Sequence, residues 1–453
     1  MKGDMVKRTS PKSVQMLPYE FSNKEVSPWG GLRIVQELVE RLGLRKVLEC
    51  QDLPRPGSNR GYRPVDIVMS FFVTIWVGGN RFAHCALLRY DEVLKKIFGW
   101  KEVGSESTFS RFFRKFNLEI NNEVFPSLQR WTLGLYGTMK VTLDLDSTVL
   151  ERYGEQEGSR RGYNPRKRGR PSQHPLIAFI AELKVVANGW LRSGNTSSSN
   201  NMGNFLEETF SLLSTLTVGL VRADNGFFGE KCLNFFEEKG LSYITAAKFT
   251  NRIKKILVKG IRFVPIYAGI EIGEFTYQAI GWKRERRFIV VRKNIAFFPR
   301  ATGKELMLFP EEEVYRQTYR YSIIVTNMEL PAVHIWEMYR KRSDSENRIK
   351  ELKYDFAIRG FSSQKFYATE AAFRFALVAY NVMALFRLIA LKDKKARRMA
   401  TLYLKCIALG SWTISKHRKT VLKLSIPLKK RDWIVGLFKN ISDFSPPINF
   451  SIA

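Results

Sequence analysis

The stretch "KVTLDLDSTVLERYG", residues 140–154, decides the fold. Val141, Leu143 and Leu145 alternate with Thr142, Asp144 and Asp146, so in a β-strand the two sets point to opposite faces. Upstream, from Leu32 to about Trp131, the apolar spacing is helical, broken at "QDLPRPGSNRGYRP" (51–64) and "GWKEVGSE" (99–106). Downstream, strand patterns recur in "LIAFIAELKVV" (176–186), "TVGLVRAD" (217–224) and "SYITAAK" (242–248), with helical stretches at 203–215 and 228–239. Residues 258–326 are β-rich again, with "RRFIVVRKN" and "YRYSIIVTN", before a helix over 333–356 and a helical, then basic, C-terminal part. Strands followed by alternating helix and strand predict an α/β (α+β) fold, a mixed sheet flanked by helices.

Composition narrows the partner. The 453 residues carry 74 Lys+Arg against 43 Asp+Glu, a formal net charge of +31, with 45% hydrophobic and 13% aromatic residues. Such a chain folds and favours a polyanion, with nucleic acid first, because each neutralised phosphate releases counterions. The four cysteines and four histidines are scattered without CxxC spacing, which argues against a zinc site or disulfide scaffold and for a reducing cytoplasm. The runs "VDIVMSFFVTIWV" (65–77) and "FRFALVAYNVMALFRLIAL" (373–391) are too short or too interrupted to span a bilayer and read as buried helices. Basic amphipathic membrane anchors are not evident.

Chemistry concentrates in three carboxylates. Asp146 and Asp224 each stand at a strand end, the latter in "RADNGFF" before an Asn-Gly turn. Glu346 lies in "YRKRSDSENRIKELKYDF" (339–356). On a single helix, with Tyr339 at zero, Arg342 falls at about −60°, Glu346 at about −20° and Lys353 at about −40°. Met338, Ile349, Leu352 and Phe356 form an apolar stripe beside them, centred near −110°, so the polar stripe borders the buried face and suits a cleft. The alternative is a solvated face with an Arg342–Glu346 ion pair, and a strand-end Asp that merely caps a turn. Three carboxylates on a basic chain suit an all-oxygen site for two Mg²⁺ ions, which stabilise the attacking and leaving oxygens of phosphodiester displacement. Asp144 and Asp146 share one face, and geometry alone does not choose between them.

These motifs resemble those of bacterial insertion-sequence transposases of the DDE type, in the subgroup with a Y-R-E-K signature. Its spacing is met by Tyr339, Arg342, Glu346 and Lys353. The Asp-x-Thr of Asp146 and Thr148 is similar to the first-Asp motif, "RADNGFF" to the second, and "GYNPRKRGRPSQHPL" (162–176) to the linker after the first Asp in one branch. The resemblance covers about residues 30–390. It implies an RNase H-like catalytic core, with Asp146, Asp224 and Glu346 both catalytic and metal-binding, and Mg²⁺ (Mn²⁺ as substitute) as cofactor. Tyr339, Arg342 and Lys353 would grip DNA phosphates, and the Asp-x-Thr spacing favours Asp146 over Asp144. The implied activity is binding the terminal inverted repeats of its own insertion sequence, cleaving the ends and joining the 3′-OH to target DNA. The implied partners are double-stranded DNA and a second copy in a homodimeric synaptic complex, with no membrane, in the cytoplasm on the nucleoid. An RNase H-like structure-specific nuclease, or a non-catalytic DNA-binding protein derived from a transposase, remain alternatives.

The expected organisation is a polar tail (1–29), an N-terminal helical DNA-binding domain (30–135), the first part of the core (136–257), a β-rich insertion (258–326), the second part of the core (327–390) and a basic C-terminal region (391–453). Further DNA contacts are expected in three places. "SESTFSRFFRKF" (105–116) carries Arg111, Arg114 and Lys115 on neighbouring helical positions, either a helix-turn-helix reader or the basic face of a helical bundle. Arg160–Arg170 holds six Lys/Arg and no acid, among them Arg166, Lys167, Arg168 and Arg170, and suits phosphate contact or a minor-groove hook. In "GWKRERR" (281–287), Trp282 either stacks an extruded base, as an insertion-domain Trp does in related enzymes, or packs in a β-hairpin.

Overall fold

The alternating stretch becomes the interior strand of a nine-stranded sheet in the computed structural model, which describes residues 19–58, 61–164, 167–298, 319–392, 397–417 and 419–449. Numbering the sheet's strands in chain order gives β1 (Met139–Ser147), β2 (Leu176–Ile180), β3 (Val185–Trp190), β4 (Leu216–Ala223), β5 (Ser242–Ala246), β6 (Val264–Tyr267), β7 (Ile270–Tyr277), β8 (Arg286–Asn294) and β9 (Tyr319–Thr326). Their order across the sheet is β3-β2-β1-β4-β5-β9-β8-β7-β6. β1 runs antiparallel to β2 and parallel to β4, and β4 runs parallel to β5. This is the expected RNase H-like mixed sheet. The β-rich segment adds to it as antiparallel strands, β9 pairing with β5 and then with β8.

The helices that matter here are α1 (Leu32–Leu42), α2 (Leu44–Glu49), α3 (Pro64–Trp76), α4 (Glu106–Arg114), α5 (Leu118–Gly134), α6 (Met202–Leu212), α7 (Glu230–Glu238), α8 (Asn251–Gly260), α9 (Ala332–Arg340), α10 (Ser343–Tyr354), α11 (Phe366–Ile389) and α12 (Leu428–Ser442). α11 is the central post. Its composition and length would suit a membrane span, but it is buried inside the protein, against α3, α5 and β3. Two devices dock it on the sheet. Asn381 accepts from the Val186 N–H at 2.8 Å and donates to the Val186 carbonyl at 2.9 Å, satisfying the outer edge of β3 with a side chain. Gly189 leaves room for Leu377, whose Cδ1 would lie 2.3 Å from an added Cβ. One hydrophobic core runs from α1 and α3 through α11 into β1, β2 and β3, so the helical N-terminal layer shares its core with the sheet. Each fully buried Leu or Phe in it contributes about 1.5–3 kcal/mol.

The structure departs from the sequence reading in four places. "LIAFIAELKVV" is a hairpin, not one strand, because Lys184 adopts φ 57° between β2 and β3. The polar N-terminal stretch ends in a short strand, Val26–Ser27, paired with Ser411–Lys416. The basic C-terminal region is only partly helical, holding the hairpin Ser411–Lys416/Lys419–Leu424 before α12. The helix expected over 333–356 is two helices. The Arg342 N–H bonds the Tyr339 carbonyl at 2.9 Å, three residues back, and the bypassed Met338 carbonyl accepts instead from Arg222 Nη1 at 2.5 Å. Ser345 Oγ takes the Arg342 carbonyl at 2.8 Å. A buried arginine and a back-bonding serine thus tighten one turn and re-aim the chain between α9 and α10.

Candidate active site

Three elements deliver the carboxylates to one cleft. β1 ends at Ser147 and brings Asp146, β4 ends at Ala223 and brings Asp224, and the first turn of α10 brings Glu346. The cleft is lined by these three with Ser147, Thr148, Arg342, Ile349, Lys350, Lys353 and Tyr354. Asp146 is buried, 7% exposed, whereas the Glu346 side chain is 58% exposed. Arg342 sits between them. Its Nη2 donates to Asp146 Oδ2 at 2.7 Å and to the Leu145 carbonyl at 3.4 Å, and its Nη1 donates to Glu346 Oε1 at 3.4 Å. Asp224 Oδ1 accepts from the Gly226 N–H at 2.8 Å, so this aspartate both caps a turn and faces the cleft. Gly226 is required there, since an added Cβ would lie 2.6 Å from Ser198 Oγ and 2.9 Å from Asp224 Oδ1.

The electrostatics are those of a crowded anionic site. Burial pushes the Asp146 carboxyl up to about 7; Arg342 opposes the shift, and the Asp224 and Glu346 carboxylates add to it. Burial also raises Asp224, against Arg342 and the Gly226 N–H, with Glu346 raising it further. Burial in the same place pushes the Tyr339 hydroxyl up to about 12. The Arg342 guanidinium is held above its ordinary value by Asp146 despite its own burial.

Asp144 lies beneath the cleft, 1% exposed, in a two-pronged pair with Arg222, Nε–Oδ1 2.6 Å and Nη2–Oδ2 2.8 Å. Of the two aspartates on this face of β1, Asp146 lines the cleft. Arg222 went unremarked in the sequence, although it precedes Asp224 by two in "VRAD" and so shares its face of β4. Lys350, one turn beyond Glu346 on α10, was missed too; its (i, i+4) spacing was the available clue.

Of the remaining predicted residues, Tyr339 and Lys353 stand at the site and the other described ones lie away from it. Tyr339 lies on α9 and donates to the Ala223 carbonyl at 3.3 Å, bracing the strand end that carries Asp224. Although the break after α9 puts it on a separate helix, it lines a pocket with Arg342 and Glu346. Lys353 lines the cleft and also a groove running past Arg152 and Tyr153 to Glu106 and Ser110 on α4. Arg111, Arg114 and Lys115 are exposed at the far end of α4, with Lys115 Nζ on the Arg55 carbonyl at 2.6 Å. Lys167 and Arg170 clasp Tyr153: Lys167 Nζ is 2.9 Å from its hydroxyl and the Arg170 guanidinium 4.6 Å from its ring centroid. Arg168 is exposed, and Arg166 lies outside the described residues. Trp282 packs 5.4 Å from the Phe228 ring and 6.3 Å from Phe288, with Arg286 at 4.8 Å from its own ring, which is the hairpin-packing arrangement.

The sequence profile described as "Transposase DDE domain group 1" matches residues 9–446, nearly the whole chain. The chain belongs to this family of DDE transposases. The transposase also superimposes on a cryo-EM structure of a piggyBac transposase synaptic complex with hairpin DNA, at 12% identity and a TM-score of 0.42, over 83% of this chain and 79% of that one. At that level the likeness adds nothing to the assignment. No curated protein matches the chain. Family membership makes the protein a DNA transposase whose class of chemistry is metal-dependent DNA cleavage and transfer.

The donor set fits a divalent metal. Carboxylate oxygens are the ligands that hard cations take. Two of the three carboxyls are raised partly by their neighbours' charge, which a cation among them would relieve. As they stand, no three His, Cys, Asp or Glu among the described residues are close enough together to hold a metal ion, so the carboxylates would have to draw together around one. Arg342 neutralises Asp146 at 2.7 Å, and a cation held by Asp146 would compete with it.

Proposed function

We propose that this transposase binds the terminal inverted repeats of its own insertion sequence, cleaves the element's ends and joins the resulting 3′-OH to target DNA. The observation that carries this reading is the meeting of Asp146, Asp224 and Glu346 in one basic-rimmed cleft, in a chain of the DDE family. Asp146, Asp224 and Glu346 would hold Mg²⁺, with Mn²⁺ as substitute. Bound there as a pair, the ions supply Lewis-acid stabilisation to the attacking and leaving oxygens of an in-line displacement. The protein's own residues do the positioning. Asp144 and Arg222 fix β1, β4 and the α9–α10 turn relative to one another, and so the elements that carry Asp146 and Glu346 to one cleft. Tyr339 braces the chain before Asp224. Exposed Lys350 and half-buried Lys353, both lining the cleft, neutralise phosphates of the bound end, and Arg342 joins them when it leaves Asp146.

The reading includes two protomers holding two DNA ends, acting on the nucleoid in the cytoplasm of a bacterium. Its test is incubation of the protein and Mg²⁺ with linear DNA carrying the sequences that flank the reading frame. Nicks that leave a 3′-OH at inverted repeats, followed by joined products, are expected. Cleavage only at branched or flapped DNA would indicate a structure-specific nuclease, and binding without cleavage a non-catalytic derivative.

A further inference from the structure

The basic C-terminal region carries a surface that the catalytic cleft does not use. Ser411–Lys416 and Lys419–Leu424 form a hairpin, flanked at Ser411 and Trp412 by Val26–Ser27, whose register sets Ser411 opposite Leu424 and Trp412 opposite Lys423. The first pair faces inward onto Gly30, where an added Cβ would lie 2.3 Å from Ser411 Cβ and 2.8 Å from Leu424 Cδ2. Alternation therefore turns Trp412, Ile414 and Lys416, with their partners Lys423, Val421 and Lys419, to the outer face. The three lysines and Val421 are exposed, Trp412 and Ile414 are half-buried, and the apolar members do not pack against the core. Lys24 Nζ adds a cation 4.2 Å over the Trp412 ring. α12 then opens with exposed Lys429, Lys430 and Arg431. Among the described residues no carboxylate pairs with Lys416, Lys419 or Lys423.

We propose that the outer face of this hairpin docks on the phosphate backbone of duplex DNA, as a second contact separate from the cleft. The proposal rests on the reading above that the chain acts on DNA. Charge complementarity selects the partner: a row of cations without carboxylate partners among the described residues suits a polyanion. Same-face residues on a strand repeat at about 6–7 Å, so lysines at 419 and 423 reach separate phosphates. Lysines act as point charges that position the duplex through its phosphates. Trp412, Ile414 and Val421 supply apolar contact to the sugars between.

The test uses the full chain and a random-sequence duplex, measuring affinity as a function of salt. Changing Lys416, Lys419 and Lys423 together to Ala is expected to lower the slope of log affinity against log salt by about 2–3 units, since each phosphate contact accounts for about 0.9. Changing all three to Arg is expected to restore the slope. An unchanged slope in the triple Ala variant overturns the proposal. So does a loss that triple Arg fails to restore in a chain with unaltered thermal unfolding, or a loss seen only with vesicles of anionic phospholipid. A parent that cleaves no element end, yet loses its salt slope on triple Ala substitution, would overturn the proposed function and leave this surface standing.

Discussion

Glu346 and Glu351 lie on the same helix, α10, and their surroundings are opposite. Glu351 is fully buried and accepts hydrogen bonds from Arg348 Nη1 at 2.9 Å, from Arg387 Nη2 and from the Met399 N–H at 2.7 Å. Glu346 is mostly exposed, has one long contact to Arg342, and faces two further carboxylates. A carboxylate whose acceptor sites are filled by donors from α11 and the C-terminal segment locks helices together. One left short of donors beside other anions is costly to the fold and open to a cation. One turn of helix separates structure from chemistry, and the two glutamates should respond oppositely to the same substitutions.

The largest expected difference is in activity. Glu346→Gln keeps the shape and removes the charge a hard cation needs, so cleavage of end DNA should fall by on the order of 10³-fold or more. Gel-shift affinity for the same DNA should stay within a few-fold. Cleavage near the parent's rate would remove Glu346 from the site and dissolve the contrast.

Stability should show the reverse. Glu351→Ala strands Arg348 and Arg387 as buried charges and is expected to cost about 3–5 kcal/mol in denaturant unfolding. Glu346→Ala should stay within about 0.5 kcal/mol of the parent. Equal effects would mean that the burial of Glu351 does not hold α10 in place.

Asp144 sharpens the comparison on the sheet side, as the filled counterpart of Asp146. Asp144→Asn should lower cleavage by about 10- to 100-fold, through a loosened Arg222 and α9–α10 turn, with activity partly retained in Mn²⁺. Asp146→Asn should abolish it with either metal. The opposite ranking, measured in one assay, would transfer the metal-binding role to Asp144.

The smallest effect is a pH slope in the protein kept in chelator. The Asp146 carboxyl is raised to about 7 in the fold, against about 3.9 in the unfolded chain. Between those values the fold binds the extra proton, so stability should fall as pH rises from about 4 to about 7 and then level off. Asp146→Asn should lack that component, as thermal melts across this range would show. A parent and variant with parallel profiles would place Asp146 in a more polar environment than its burial implies.

Much of this was legible in the sequence. Alternation in 139–147 gave β1 because a buried strand with carboxylates at one end has few other readings. "RADNGFF" gave the strand end and turn of Asp224, and the spacing of Glu346 and Lys353 gave two groups that do share the cleft. Tyr339 does stand beside Arg342 and Glu346, but from a separate helix, because a single helical wheel assumes an unbroken one. The break is made by Arg222, which lies over a hundred residues earlier in the chain and reaches the Met338 carbonyl only after folding. The contrast between Glu346 and Glu351 was hidden for the same reason, since Arg387 and Met399 reach Glu351 from distant segments. Trp282 sits in a cationic loop by sequence, but Phe228 and Phe288 flank it across the fold.

The central claim is that Asp146, Asp224 and Glu346 together hold the divalent metal. Its most direct test is the binding of Mn²⁺, followed by the loss of the free-ion signal in electron paramagnetic resonance, with duplex DNA present. Tight binding by the parent is predicted, with loss in each of Asp146→Asn, Asp224→Asn and Glu346→Gln and retention in Glu351→Gln wherever that variant remains folded. Undiminished Mn²⁺ binding in any of the first three would contradict the claim.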